Sequence, residues 1–233
     1  MSQFKASIRS TFFTNKPIEL DYEKAMKIAN SLSSYKLFPA PVTGFSFQIG
    51  PTGMIPTAMN SFEFRNGENL LNISIGPNRV DINHIVNKKT QLAFADMSDL
   101  CQNTIQAFSS CIDYRIVRLA LASTWVLAED NLSQVQSDLV GSENNSQLIE
   151  WDKHFVNRSV PKDVLIPINY GWKIARAAIK LPTDLTIKDR IFLETDINTI
   201  PLPPEQLPSS KVKLFFNDAI NASIDIIKKY IHE

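Results

Sequence analysis

From Gly44 to Ile82 the chain is apolar at every second position, in four bursts separated by turn residues. The bursts are Phe45, Phe47 and Ile49, then Phe62 and Phe64, then Leu71, Ile73 and Ile75, then Val80 and Ile82. A helix cannot bury that pattern, because successive side chains take opposite sides only in an extended chain. Parallel neighbours are excluded too, since they need long crossovers where this segment has short turns. The pattern therefore predicts an antiparallel meander with one apolar and one polar face. "IGPN", Ile75 to Asn78, lies between the last two bursts. A phosphate-gripping loop would present several backbone N–H groups and lead into a helix. Here Pro77 removes a donor and a strand follows, so the stretch reads as a hairpin turn.

The remaining segments extend the pattern. Lys5 to Thr14 leans to strand and ends in the turn signal "TNKP". Asp21 can cap a helix carrying Ala25, Ile28, Ala29 and Leu32 at helical spacing, which Pro39 and Pro41 are expected to close. A second helix is predicted within "TQLAFADMSDLCQNTIQAFSSC", with Met97, Leu100, Cys101, Thr104, Ile105 and Phe108 on one face. "CIDYRIVRLALASTWVLA" predicts a long strand, with Val117, Leu119, Leu121 and Trp125 on one side and Tyr114, Ile116, Arg118 and Ala120 on the other. Asn131 to Asn157 is polar and suggests two short helices broken by "VGSENNS". Val164 to Leu181 and Arg190 to Ile197 read as an antiparallel pair. A Pro-rich linker then precedes a helix from Ser210 to His232, whose stripe runs through Val212, Phe215, Phe216, Ala219, Ile220, Ile224, Ile227 and Ile231.

Strands and helices do not alternate regularly, so the fold class is α+β. The expected architecture is a twisted antiparallel sheet with helices packed mainly on one face and an amphipathic C-terminal helix. The 233 residues, 44% of them hydrophobic, suffice for a single domain over 1–233; two closely packed halves, 1–110 and 111–233, are the alternative division. No internal repeat of fixed period is evident in the sequence.

Charge and cysteine usage narrow the function. Lys+Arg 24 balance Asp+Glu 24, without the basic excess that replaces counterions on phosphate, so nucleic acid is an unlikely partner. The N-terminus lacks a basic stretch followed by an apolar one, so a secretory signal is not expected. The longest weakly polar run, Leu119 to Ala128, is about half of the roughly 20 residues a membrane span needs. Cys101 and Cys111 would stand about 15 Å apart along a helix, too far for a disulfide. Reduced thiols in a cytoplasmic protein are the expectation.

Few residues suggest chemistry. "RIFLETDIN" puts Arg190, Phe192, Glu194 and Asp196 on one strand face and Ile191, Leu193 and Ile197 on the other. Carboxylates two residues apart on a strand are about 7 Å from each other, a spacing that a divalent cation or an acid/base pair can use. A solvated sheet face with Arg190 near Glu194 is the plainer reading. In "EWDKHF", Glu150 and His154 would share a helical face, but no further ligands complete a metal site, and a surface pair is expected. His84 shares the face of Val80 and Ile82 as a partly buried structural residue. No Gly-x-Ser-x-Gly or activated cysteine appears. Arg115 and Arg118 take opposite faces of the predicted strand, so one should point toward the helices and either pair with a carboxylate or line a binding groove.

An N-terminal strand and helix, the hairpin "LLNISIGPNRVDI", the mid-chain strand "YRIVRLAL" and "FLETDIN" before a terminal helix together resemble an uncharacterised, sporadically distributed family of bacterial proteins. The resemblance implies an accessory gene of mobile or defence loci, near restriction or toxin–antitoxin systems, and brings no catalytic residue with it. The expectation is a non-enzymatic cytoplasmic protein that binds another protein, with no cofactor or metal and with a homodimer as an option. The alternatives are a metal-dependent hydrolase using Glu194 and Asp196, and a small-ligand sensor using a groove between sheet and helices.

Overall fold

A computed structural model describes residues 5–50, 53–68, 70–86, 94, 96–126, 151–179, 186 and 188–230. In chain order the elements are β1 (Lys5–Thr14), α1 (Tyr22–Ser31), β2 (Leu37–Gly50), β3 (Gly53–Asn66), β4 (Leu71–Gly76), β5 (Arg79–Val86) and α2 (Met97–Ser109). Then follow β6 (Ile116–Val126), β7 (Trp151–Ser159), β8 (Ile168–Ile179), β9 (Lys188–Thr199) and α3 (Ser209–Lys228). The nine strands form one antiparallel sheet in the order β2-β3-β4-β5-β1-β6-β9-β8-β7. The α+β class and the meander are as the sequence predicts. Pro77 and Asn78 form the tight turn between β4 and β5, which pair from Leu71 opposite His84 to Gly76 opposite Arg79.

The strand order has a symmetry that the sequence does not show. Outward from the central β1–β6 pair, β5, β4 and β3 on one side answer to β9, β8 and β7 on the other. Each run is a meander, and each is followed by a helix, α2 or α3. Among the described elements the two runs thus wind alike, and the sheet passes from one to the other through the β1–β6 ladder.

The three described helices lie on one face. α3 packs on α2, β6 and β9, and α1 packs on α2 and β2. Between helices and sheet the aromatic side chains interlock: Phe12 meets Phe108 edge-on at 6.1 Å, Phe64 meets Phe108 at 6.0 Å, and Phe94 lies 5.9 Å from Trp125. The α3 stripe is buried here through Val212, Phe215, Phe216, Ala219, Ile220, Ile226 and Ile227, so the helix docks on its own sheet. Leu71, Ile73, Val80 and Ile82 are buried beneath the helices, and Ile75 packs partly buried against them.

Four local expectations need correction. Pro39 and Pro41 do not close α1. The helix ends at Ser31, capped at its start by the Asp21 carboxylate, which accepts from the Lys24 N–H at 2.8 Å; a short turn then reverses the chain at Lys36, whose φ is 54°. Both prolines lie inside β2, an edge strand, where a missing donor is tolerated. In β6 the pairing to β1 shifts between Phe13 and Thr14, so Ile116 and Leu119 are both buried while Val117 is only partly so. A strict alternation puts Val117 on the buried side; the extra residue moves Ile116 there instead. Tyr114 is likewise buried, its ring stacked 5.8 Å from Phe12 and its hydroxyl donating to the Ile105 carbonyl at 3.0 Å. Trp151 to Asn157, assigned to a helix from sequence, is strand β7. The rest of the Asn131–Glu150 segment lies outside the described residues, as do Ile231 and His232.

Candidate functional site

With the described helices on one side, the other face of the sheet, helix-free among the described residues, carries polar side chains of β1, β4, β5, β6, β7, β8 and β9. Its side chains are tied to one another across strands. Thr11 donates to the Asp81 carboxylate at 2.7 Å, and Arg79 meets the other oxygen at 2.9 Å, so this buried acid is satisfied on both sides. Asn83 bonds Asn72 at 2.8 Å. On the far half a chain of contacts runs through β7, β8, β9 and β6. Arg158 donates to Asn169 at 2.7 Å, Asn169 to Asn198 at 3.2 Å, and Asn198 to Asp196 at 3.1 Å. Arg118 donates to the Asn198 side-chain amide oxygen, Oδ1, at 3.1 Å, with its guanidinium 5.2 Å from the centre of the Phe13 ring.

This settles the two arginines. Arg118 belongs to the helix-free face, and Arg115 precedes β6, exposed and 3.7 Å from Glu205. Neither points toward the helices, because the shift at Val117 breaks the alternation on which that expectation rested.

Glu194 and Asp196 lie where the sequence puts them, exposed on the helix-free face, with Leu193 and Ile197 buried on the other side of β9. They border an open cleft of about 320 Å³, lined also by Asp152, His154, Gly171 and Lys173. The register explains its composition: His154, Lys173 and Glu194 form one cross-strand row, and Val156, Gly171 and Asp196 the next. Gly171 sets the floor. A Cβ there would stand 3.1 Å from the Asp196 carbonyl oxygen, so only glycine leaves the hollow without pushing β9 away. The walls hold three carboxylates against one ammonium, and Lys173 reaches Asp152 at 3.6 Å.

His154 is therefore a cleft residue on a strand, and its helical pairing with Glu150 does not form; Glu150 itself lies outside the described residues. Asp152, Lys173 and Gly171 were not singled out from the sequence. The residue types of β7 carry no alternating signal that could have placed them, because Asp152 to Ser159 are exposed on both faces. Among the described residues no group of three or more His, Cys, Asp or Glu side chains is arranged to hold a metal ion. Both cysteines are free, and burial raises the Cys101 thiol to about 12. Among the described residues no helix is long and apolar enough to cross a membrane.

No protein-family model and no curated protein matches the chain. Among solved structures, a rolling circle replication initiator protein from Geobacillus stearothermophilus aligns at 9% identity with a TM-score of 0.29, covering 93% of this chain and 79% of that one. So distant a likeness carries no argument about fold or function.

Proposed function

We propose that the protein is a non-enzymatic cytoplasmic binding protein, which presents the helix-free face of its sheet to another protein and takes a basic segment of it in the cleft over Gly171. The observation that carries this reading is the state of that face. Its polar side chains are engaged with one another through Arg158, Asn169, Asn198, Asp196 and Arg118, and they border an open, acid-rich hollow. Side chains held in place before binding lose little freedom on contact, which favours recognition. Three carboxylates facing one ammonium favour a lysine or arginine side chain as the occupant. The sequence resemblance supplies the setting, an accessory protein of a bacterial defence or toxin–antitoxin system.

The test is co-purification from the native cell at low and raised salt, with the wild type and with Glu194→Lys/Asp196→Lys. The wild type should retain a partner that is lost as salt rises, and the charge-reversed protein should lose it while keeping its melting curve. A partner held equally by both proteins would defeat the cleft as the binding site. The hydrolase alternative rests on Glu194 and Asp196 alone. It predicts stabilisation by Mg²⁺ or Mn²⁺ that disappears in Glu194→Gln.

A further inference from the structure

Among the described residues, strand β7 ends the sheet on the C-terminal side and pairs with β8 alone. Asp152 to Ser159 are all exposed, and two apolar side chains stand at the middle, Phe155 at 38% and Val156 at 63% exposure. A long edge with open backbone donors and acceptors and an apolar centre is a template for another strand. The opposite edge, β2, carries Pro39 and Pro41, each of which lacks a donor.

The geometry points to a second copy of this chain as the occupant, with β7 pairing antiparallel to β7 of the copy about a two-fold axis through Phe155. Charge decides the register. Centred on Phe155, pairing sets Asp152 opposite the partner subunit's Arg158, and by symmetry Arg158 opposite the partner subunit's Asp152. Lys153 then faces Asn157, His154 faces Val156, and the two Phe155 rings meet on the axis, each already stacked 4.9 Å from its own Trp172. Moving the axis to His154 sets Asp152 against Val156 and carries Arg158 beyond the end of β7, and moving it to Val156 sets His154 against Arg158 and carries Asp152 beyond the other end, so within β7 neither register matches opposite charges. An axis between Phe155 and Val156 sets Lys153 against Arg158, a like-charge pair.

The Phe155 register is thus the self-complementary one, as an isologous interface requires. Both charged residues are already oriented, Arg158 by Asn169 at 2.7 Å and Asp152 by Lys173 at 3.6 Å. Because residues of equal parity pair, the helices of both copies fall on the same side of one doubled sheet. Asp152 also lines the cleft, so the partner's Arg158 stands at its rim and each site is completed by the other subunit. This inference does not depend on the cleft taking a basic segment.

Sedimentation velocity on the full chain tests it. The wild type should sediment as a dimer. Arg158→Asp, and separately Asp152→Arg, should weaken association by about tenfold or more, since each puts like charges opposite one another twice. Asp152→Arg combined with Arg158→Asp should restore the dimer. Thermal melts of all variants should stay cooperative, displaced from the wild type only by the stabilisation that dimerisation itself confers. A monomeric wild type, or a double variant no tighter than either single one, overturns the proposal. A wild-type monomer would leave the edge to a strand from a different protein.

Discussion

Removing α3 tests how the molecule holds together. The helix buries Val212, Phe215, Phe216, Ile220, Ile226 and Ile227 against α2, β6 and β9. At roughly 1.5–3 kcal/mol for each fully buried side chain, these six contribute roughly 9–18 kcal/mol. A domain is typically stable by about 5–15 kcal/mol. A chain ending before Ser209 should therefore lose cooperative folding and leave the apolar face of β6 and β9 open to water. It should be insoluble, or compact without a sharp melt. The graded form is Phe216→Ala. Truncating this buried ring, which meets Phe215 edge-on at 5.2 Å, should cost about 3–5 kcal/mol and lower the melting temperature by roughly 6–20 °C. Circular dichroism melts with size-exclusion chromatography read both variants. A soluble, cooperatively melting protein without α3 would refute the reasoning, since it would mean the helix is not part of this core.

Other expectations follow from single groups. Ser123→Ala leaves the buried Trp125 indole N–H without its 2.9 Å acceptor and breaks the Ser123–Thr195 contact at 2.7 Å, so urea unfolding should show a loss of about 1–3 kcal/mol; an unchanged midpoint would count against the network. The buried Cys101 thiol should resist Ellman's reagent in the folded protein while Cys111, partly exposed, reacts, giving one reactive thiol before denaturation and two after. Burial raises the Cys101 thiol from 9.0 to about 12, so its contribution to stability is whole below pH 9.0 and lost as pH rises from there toward 12; the urea midpoint should fall across that window in the wild type and fall less in Cys101→Ala. Adding Mg²⁺ or Mn²⁺ should leave the melting temperature of the wild type and of Glu194→Gln alike, and metal stabilisation of the wild type alone would restore the hydrolase reading.

The period-two bursts made the meander legible because Phe62, Phe64, Leu71, Ile73, Ile75, Val80 and Ile82 go to the same helix-covered face. Helix α3 was legible for the matching reason at helical spacing. β7 was missed because it is an edge strand exposed on both faces, so burial imposes no alternation of apolar and polar residues on "WDKHFVNRS". Pro39 and Pro41 misled because an edge strand tolerates proline, a fact visible only once β2 is known to be the edge. Val117 shows a related limit: one residue inserted opposite Phe13 and Thr14 reverses the facing of all that precedes it, and nothing in the residue types marks the place. For the site, Glu194 and Asp196 could be placed on one face from β9 alone. That His154, Lys173 and Asp152 join them depends on cross-strand register, which the residues of one strand do not encode.

The central claim is that the helix-free face binds a protein. Hydrogen exchange on the complex captured from the native cell, compared with the free protein, tests it most directly. The account predicts new protection in β7, β8 and β9 around Asp152–Arg158, Asn169–Lys173 and Phe192–Asn198, with α1, α2 and α3 unchanged. Protection confined to the helices, with these strands exchanging as in the free protein, would contradict it.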